Sequence, residues 1–423
     1  AHNLHEHTLT LAAGLAEILR TDGPYARALA LHQAAADTAH HYDSPTAHAN
    51  VLTDLGIMRR LAGDLTGARD AFSPALEIYR AIGDRLGEAN TLAELGRARG
   101  YAGEMTEADD ALSQALEIYR ATGDRPGEAD MLADLGIMRR VAGDPTGAVG
   151  AFSRALEIYH AIGDRQGEAD ALTELGRAQA LTGDLAGAGG ALGQALKFYR
   201  ATGHHHSEAY VLTNLGTVRR LTGDLAGAGG VLGQALEIYR TIGYSQGEAE
   251  ALANLGIVRR LTGDLAGAHD AQATALELYR KRGSRHDEAW ALNHYAATIA
   301  ARGDLPRAVA LYQQALAMNR ELNKPDGRAI ALEGLGECHL TAGETQAGAA
   351  HLHQALEIYQ RLGMAPDAER VRTRLADLTT AWTPDRFPGH EQVNVAVEAE
   401  RKAVAIDHVL AEPVNGGEVP VEV

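Results

Sequence analysis

Residues 84–123 read DRLGEANTLAELGRARGYAGEMTEADDALSQALEIYRATG, and this 40-residue phrase recurs in register along the chain. Leu-Gly stands at 55/56, 95/96, 135/136, 175/176, 215/216, 255/256 and 335/336, with Tyr295-Ala296 in the one unit that departs. Gly-Asp or Gly-Glu follows at a fixed offset, from Gly63-Asp64 to Gly343-Glu344. A period between about 20 and 50 residues decides the architecture, because one such unit cannot bury its own apolar face and must stack on its neighbours.

Within the phrase, Asp84 suits a helix N-cap, and Leu92, Leu95, Gly96 and Ala98 follow at helical spacing until Gly103. A second helix is expected from about Met105 to Arg120, with Ala108, Leu112, Ala115, Leu116 and Tyr119 on one face. Gly123 can take the left-handed conformation that closes it before Asp124 caps the next helix. Small residues at Gly96 and Ala108 let the two helices approach, and leucines fill the seam. The unit is an αα-hairpin.

The order Leu-Gly, Gly-Asp, Ala, large apolar residue, Ala-Leu resembles the tetratricopeptide repeat, with signature positions on Leu92, Leu95, Gly96, Ala108, Leu112 and Ala115. Six residues beyond the usual ~34, with Gly-Asp-Arg-x-Gly-Glu-Ala at the junction, resemble the long-repeat subclass of Pins-type adaptors and of sensor arms in bacterial NB-ARC and STAND-type regulators. The resemblance implies an all-α solenoid of about nine repeats, wound as a right-handed superhelix. The expected division is a degenerate first unit or cap at 1–45, eight repeats over 46–365, a capping helix at 366–380, and a mostly disordered tail at 381–423.

Composition narrows the function. The chain carries 56 acidic against 39 basic side chains, which disfavours nucleic acid as a partner and favours basic or mixed-charge proteins. One cysteine, Cys338, excludes an internal disulfide framework and fits a reducing compartment. No apolar run approaches the roughly 18 residues of a membrane span, and the N-terminus lacks the regions of a signal peptide. A cytoplasmic location is therefore expected. Four lysines (Lys197, Lys281, Lys324, Lys402) beside abundant Arg, Ala and Gly suggest a GC-rich coding sequence and a bacterial source. The start at Ala1 suggests a segment of something longer.

Several tempting motifs carry no chemistry. The run from Gly187 to Gly193, repeated at Gly227 to Gly233, has no preceding strand and no following Lys-Ser/Thr, so it reads as helix with drifted outer positions. Histidines at 2, 5 and 7, at 204–206, and at 351 and 353 lack metal-ligand spacing, and Cys338 falls on a small packing position. No metal, cofactor or catalytic residue is assigned, and no enzyme is expected. Pro74 lies mid-helix, where a kink is expected.

In the resembled family the first helix of each unit lines a concave groove, which implies a set of partner-binding candidates. They are Asn50, Asn90, Asp130, Asp170, Tyr210 and Glu250 on second positions, and Asp54, Glu94, Asp134, Glu174, Asn214 and Asn254 on sixth positions. Arg60, Arg97, Arg140, Arg177, Arg220 and Arg260 make a parallel basic stripe. Trp290 is either an exposed anchor in the groove or a residue packed on the next helix. The polar stripes either hold an extended peptide or pair with each other as solvated ion pairs worth under about 1 kcal/mol. The function expected is an interaction scaffold, as the sensing arm of a larger signalling or transcription regulator whose other domains could themselves fill the groove. A free-standing peptide receptor is the alternative, and an enzyme with an unrecognised site comes third.

Overall fold

The computed structural model describes residues 44–380, together with 29, 30, 33 and 34. The described residues form seventeen helices and no strand, and they divide into one compact unit ending at Thr182 and another beginning at Gly183. The first holds α1 (Pro45–Leu61), α2 (Leu65–Ile82), α3 (Arg85–Tyr101), α4 (Met105–Thr122), α5 (Arg125–Val141), α6 (Pro145–Ile162) and α7 (Arg165–Leu181). The second holds α8 (Leu185–Thr202), α9 (His205–Leu221), α10 (Leu225–Thr241), α11 (Ser245–Leu261), α12 (Leu265–Arg282), α13 (Arg285–Ala301), α14 (Leu305–Glu321), α15 (Pro325–Thr341), α16 (Thr345–Arg361) and α17 (Ala365–Thr380). In each unit consecutive helices pack as hairpins, and each hairpin packs on the next. The expected all-α repeat architecture is what forms.

The junction phrase Gly-Asp-Arg-x-Gly-Glu-Ala is accounted for residue by residue. Gly83 takes φ 75°, a left-handed cap that ends α2. Asp84 caps α3 by accepting the Gly87 N–H at 2.9 Å. Glu88 is held between Arg80 at 2.8 Å and Arg85 at 2.5 Å, with its side chain almost out of solvent. Gly87 is glycine because a Cβ there would stand 2.3 Å from the Tyr79 ring. Ala89 is fully buried. The carboxylate clasp recurs as Glu128 between Arg120 and Arg125 in the first unit, and as Glu208, Glu248 and Glu288 on Arg200, Arg240 and Arg280 in the second.

Leu-Gly is explained by the hairpin seam. A Cβ on Gly56 would meet the Phe72 ring at 2.3 Å, on Gly96 the Leu112 side chain at 2.6 Å, and on Gly136 the Phe152 ring at 2.7 Å. The large residue of the second helix thus lies over the glycine of the first, and Met58, Phe72, Leu92, Leu112 and Leu132 join one buried cluster. Helix α2 continues through Pro74 to Ile82. Most of the expected first unit at 1–45, and the tail at 381–423, lie outside the described residues. Helix α17 packs on α16 through buried Ala368, Val371 and Leu375.

Candidate functional site

Odd-numbered helices touch odd-numbered neighbours: α1 meets α3, α3 meets α5 and α5 meets α7 in the first unit, and α9, α11, α13 and α15 follow suit in the second. No even-numbered pair does so to the same extent. The odd helices therefore form the tighter wall of each unit, and the candidate residues sit on it.

In the first unit the acidic and basic stripes meet. Arg60 on α1 donates to Glu94 on α3 at 3.0 Å. Arg97 on α3 pairs with Glu94 at 2.5 Å and reaches Asp134 on α5 at 2.7 Å. Arg140 on α5 pairs with Glu174 on α7 at 3.2 Å, and Arg177 closes on the same carboxylate at 2.8 Å. These links fasten each odd helix to the next. They are not solvated surface pairs: the Glu94 and Glu174 side chains retain 14% and 15% exposure, and those of Arg140 and Arg177 only 1% and 2%. Burial raises the Glu94 carboxyl, but Arg97 and Arg60 outweigh it and hold the group below its ordinary value. Glu174, between Arg177 and Arg140, is held down in the same way against its burial. Asp134 has one guanidinium only, and burial wins over Arg97, so its carboxyl lies above the ordinary value. Asp54 lies half-buried on α1.

Second-position residues have a different partner, which the sequence did not disclose. The Tyr79 hydroxyl donates to Asn50 at 2.5 Å, Tyr119 to Asn90 at 2.5 Å, and Tyr159 to Asp130 at 2.6 Å. In these three hairpins the tyrosine that ends Ala-Leu-x-x-Tyr thus ties the second helix to the first. Its constant 29-residue offset from the acceptor was the available signal. Asn50, Asn90, Asp130 and Asp170 nonetheless remain exposed on their outer side.

The second unit corrects the sequence reading. Asn214 and Asn254, expected on an open wall, are 0% and 1% exposed. Their amides donate back to the Tyr210 and Glu250 carbonyls at 2.9 and 3.0 Å, because a polar side chain facing the neighbouring helix must be satisfied without water. Arg220 and Arg260 are likewise buried, while Tyr210 and Glu250 are half-buried. Trp290 is not an exposed anchor: it is 8% exposed, with its ring 4.5 Å from that of His294, because the odd-helix seam encloses it.

Among the described residues no group of three or more His, Cys, Asp or Glu could hold a metal ion, and no helix is long and apolar enough to cross a membrane. The Cys338 thiol is buried, and burial together with Glu337 pushes its pKa up to about 11.

A tetratricopeptide repeat family model matches residues 47–121, 207–281 and 287–365, and a second of the same description matches 94–161. No curated protein matches the sequence. Among solved structures, the chain is similar to a signal transduction ATPase with numerous domains (STAND) from Pyrococcus horikoshii that carries a tetratricopeptide repeat sensor (TM-score 0.56, 14% identity, 85% of this chain). The chain spans 54% of that protein's length. It is also similar to apo RapI (TM-score 0.57, 13% identity, 66% of this chain and 99% of that one). A third likeness is to aspartyl phosphate phosphatase F from Bacillus subtilis (TM-score 0.55, 13% identity, 67% and 75%). At these identities the likeness is one of fold.

Proposed function

The chain belongs to the tetratricopeptide repeat family, and on that premise we propose that it is a protein-interaction scaffold whose odd-helix wall holds an extended, basic or mixed-charge segment of a partner. The observation that carries this reading is the row of exposed polar side chains, Asn50, Asn90, Asp130 and Asp170, spaced by one repeat along the first unit. A row of that kind matches the regularly spaced groups of an extended peptide. Charge favours a basic occupant: Asp54, Glu94, Asp130, Asp134, Asp170 and Glu174 stand against Arg60, Arg97, Arg140 and Arg177. The arginines are largely spent on the carboxylates beside them, so the exposed second positions are the polar groups of the wall that an incoming segment meets first. The buried Asn214, Asn254, Arg220, Arg260 and Trp290 are assigned to the structure of the second unit instead.

The finer reading is the sensing arm of a larger bacterial signalling regulator in the cytoplasm, supported by the similar fold in a STAND protein whose repeat array is named as its sensor. A free-standing adaptor is the alternative. The full open reading frame distinguishes them: a P-loop nucleotide-binding segment on the same polypeptide supports the sensor arm, and a frame without one supports the adaptor. Recognition itself is tested by fluorescence anisotropy with extended Arg/Lys-rich, neutral and acidic peptides. The native chain should bind the basic peptide, and Asp130→Lys with Asp170→Lys should abolish that binding. Preference for the acidic peptide would overturn the reading.

A further inference from the structure

Helix α12 and the divergent unit that follows it carry a group of departures from the repeat side by side. His269, Ile299, Arg302 and Arg307 stand where the other units carry other residues, and all four line a cleft of about 380 Å³ formed by the starts of α12 and α14 and the end of α13; the buried Tyr295, at the place of the repeated leucine, is hydrogen-bonded to His269 and Arg307. Position 299 is the key to the opening. At the equivalent place Arg219 and Arg259 reach across the helix turn to the carbonyls of Gly227 and Gly267 at 3.3 and 3.1 Å, and lie 4.0 and 3.9 Å from the capping Asp224 and Asp264. Ile299 cannot make that crossing. In exchange, Arg307 replaces the glycine, and Arg302 replaces the alanine or threonine found in the other units.

The hydrogen bonds around Tyr295 run in one direction. Arg307 donates to the Tyr295 hydroxyl at 3.2 Å and lies over its ring, 5.8 Å from the centroid. The hydroxyl meets His269 Nε2 at 2.9 Å, and His269 Nδ1 meets Asp270 at 3.0 Å. With the imidazole proton on Nδ1 facing the carboxylate, Tyr295 donates to Nε2 and accepts from Arg307, which fixes the guanidinium at the cleft. Both carboxylates here are engaged, Asp270 by His269 and Asp304 by the Arg307 backbone N–H at 3.2 Å. The unspent capacity belongs to cations: Arg307 has N–H groups to spare, and Arg302 makes no ion pair or side-chain hydrogen bond among the described residues.

We propose that this cleft binds the phosphate group of a small phosphomonoester. Two guanidiniums match a dianion with three peripheral oxygens, since planar N–H forks pair with phosphate through charge-assisted hydrogen bonds. The cleft volume leaves room for a small organic body beside the phosphate. Tyr295 is a positioning residue that acts through Arg307.

The test is calorimetric titration of the full chain with inorganic phosphate, phenyl phosphate and acetate. Saturable one-to-one binding of both phosphates is expected, with acetate weaker. Arg302→Gln and Arg307→Gln should each weaken phosphate by about tenfold, the loss of one charge-assisted hydrogen bond. Tyr295→Leu installs the residue the other units carry, so the circular dichroism should be unchanged and both arginines remain. It should still weaken phosphate, because Arg307 loses its tether, whereas diffuse charge attraction would not notice it. No saturable binding, equal affinity for acetate, or affinity unchanged in all three variants would overturn the proposal.

Discussion

Glu94 and Asp134 sit on the same ladder, accept from the same Arg97, and should respond to neutralisation with opposite signs. Glu94 accepts from two guanidiniums, at 3.0 Å from Arg60 and 2.5 Å from Arg97. Its carboxyl is held below its ordinary value of 4.5 despite burial, so the ionised form is stabilised by folding. That stability is present above pH 4.5 and is lost as pH falls through the lower folded value. Asp134 is raised above its ordinary 3.8 because burial outweighs Arg97. Its ionisation opposes folding, a penalty that is absent below pH 3.8 and sets in as pH rises through the folded value. Glu94→Gln removes one of two charge-assisted hydrogen bonds and leaves Arg60, itself mostly buried, without a carboxylate, a cost of about 2 kcal/mol. Over a unit of this size that corresponds to a fall of roughly 4–8 °C in Tm. Asp134→Asn keeps an acceptor for Arg97, leaves Arg97 its pair with Glu94, and removes the unfavourable ionisation, so its Tm at pH 7 should equal or slightly exceed the native value. The assay is thermal denaturation followed by circular dichroism at pH 7 and pH 4, where the Glu94→Gln deficit should shrink. Equal losses for both variants, or a larger loss for Asp134→Asn, would refute the assignment of one carboxylate to two arginines and the other to one.

Other consequences concern packing and reactivity. Gly127→Ala puts a Cβ 2.4 Å from the Tyr119 ring and should cost about 1–3 kcal/mol by overpacking. Gly190→Ala meets nothing within 4 Å and should gain about 0.5–1 kcal/mol; the two melting curves should shift in opposite directions. Cys338, with its pKa pushed up to about 11, should react with a disulfide reagent at pH 7.5 only after denaturant is added, and prompt labelling of the native chain would contradict its burial. Hydrogen exchange should be faster in α8 and α10, where a Cβ added at glycines 190, 193, 230 and 233 would face open space, than in α12; equal protection in the three helices would show that neighbour packing overrides the missing side chains.

The hairpins were legible because period, caps and glycines act over short distances. Asp84 caps its own helix, Gly83 ends the one before, and Gly96 makes room for Leu112 sixteen residues on. Such contacts are fixed by helix geometry and recur with the repeat. The destinations of the charges were not legible. Whether Arg60 reaches Glu94 or stays in solvent depends on how closely α1 and α3 stack, and that spacing is set by side chains on both helices together. The same closeness explains why Asn214 and Asn254 turn inward and why Trp290 is covered. Tyr119 looked like an apolar packing residue, and only the fold shows its hydroxyl bound to Asn90. At the cleft beside Tyr295 the sequence revealed a divergent unit, but His269 and Arg307 lie 26 residues before and 12 residues after that tyrosine, and only folding brings them together.

Whether a basic segment lies along the odd-helix wall of the first unit is read out by hydrogen-exchange footprinting with a saturating Arg/Lys-rich extended peptide. Added protection should appear in α1, α3, α5 and α7, centred on Asn50, Asn90, Asp130 and Asp170, with α2, α4 and α6 unchanged. Protection confined to the even-numbered helices, or none under saturating peptide, would contradict that placement.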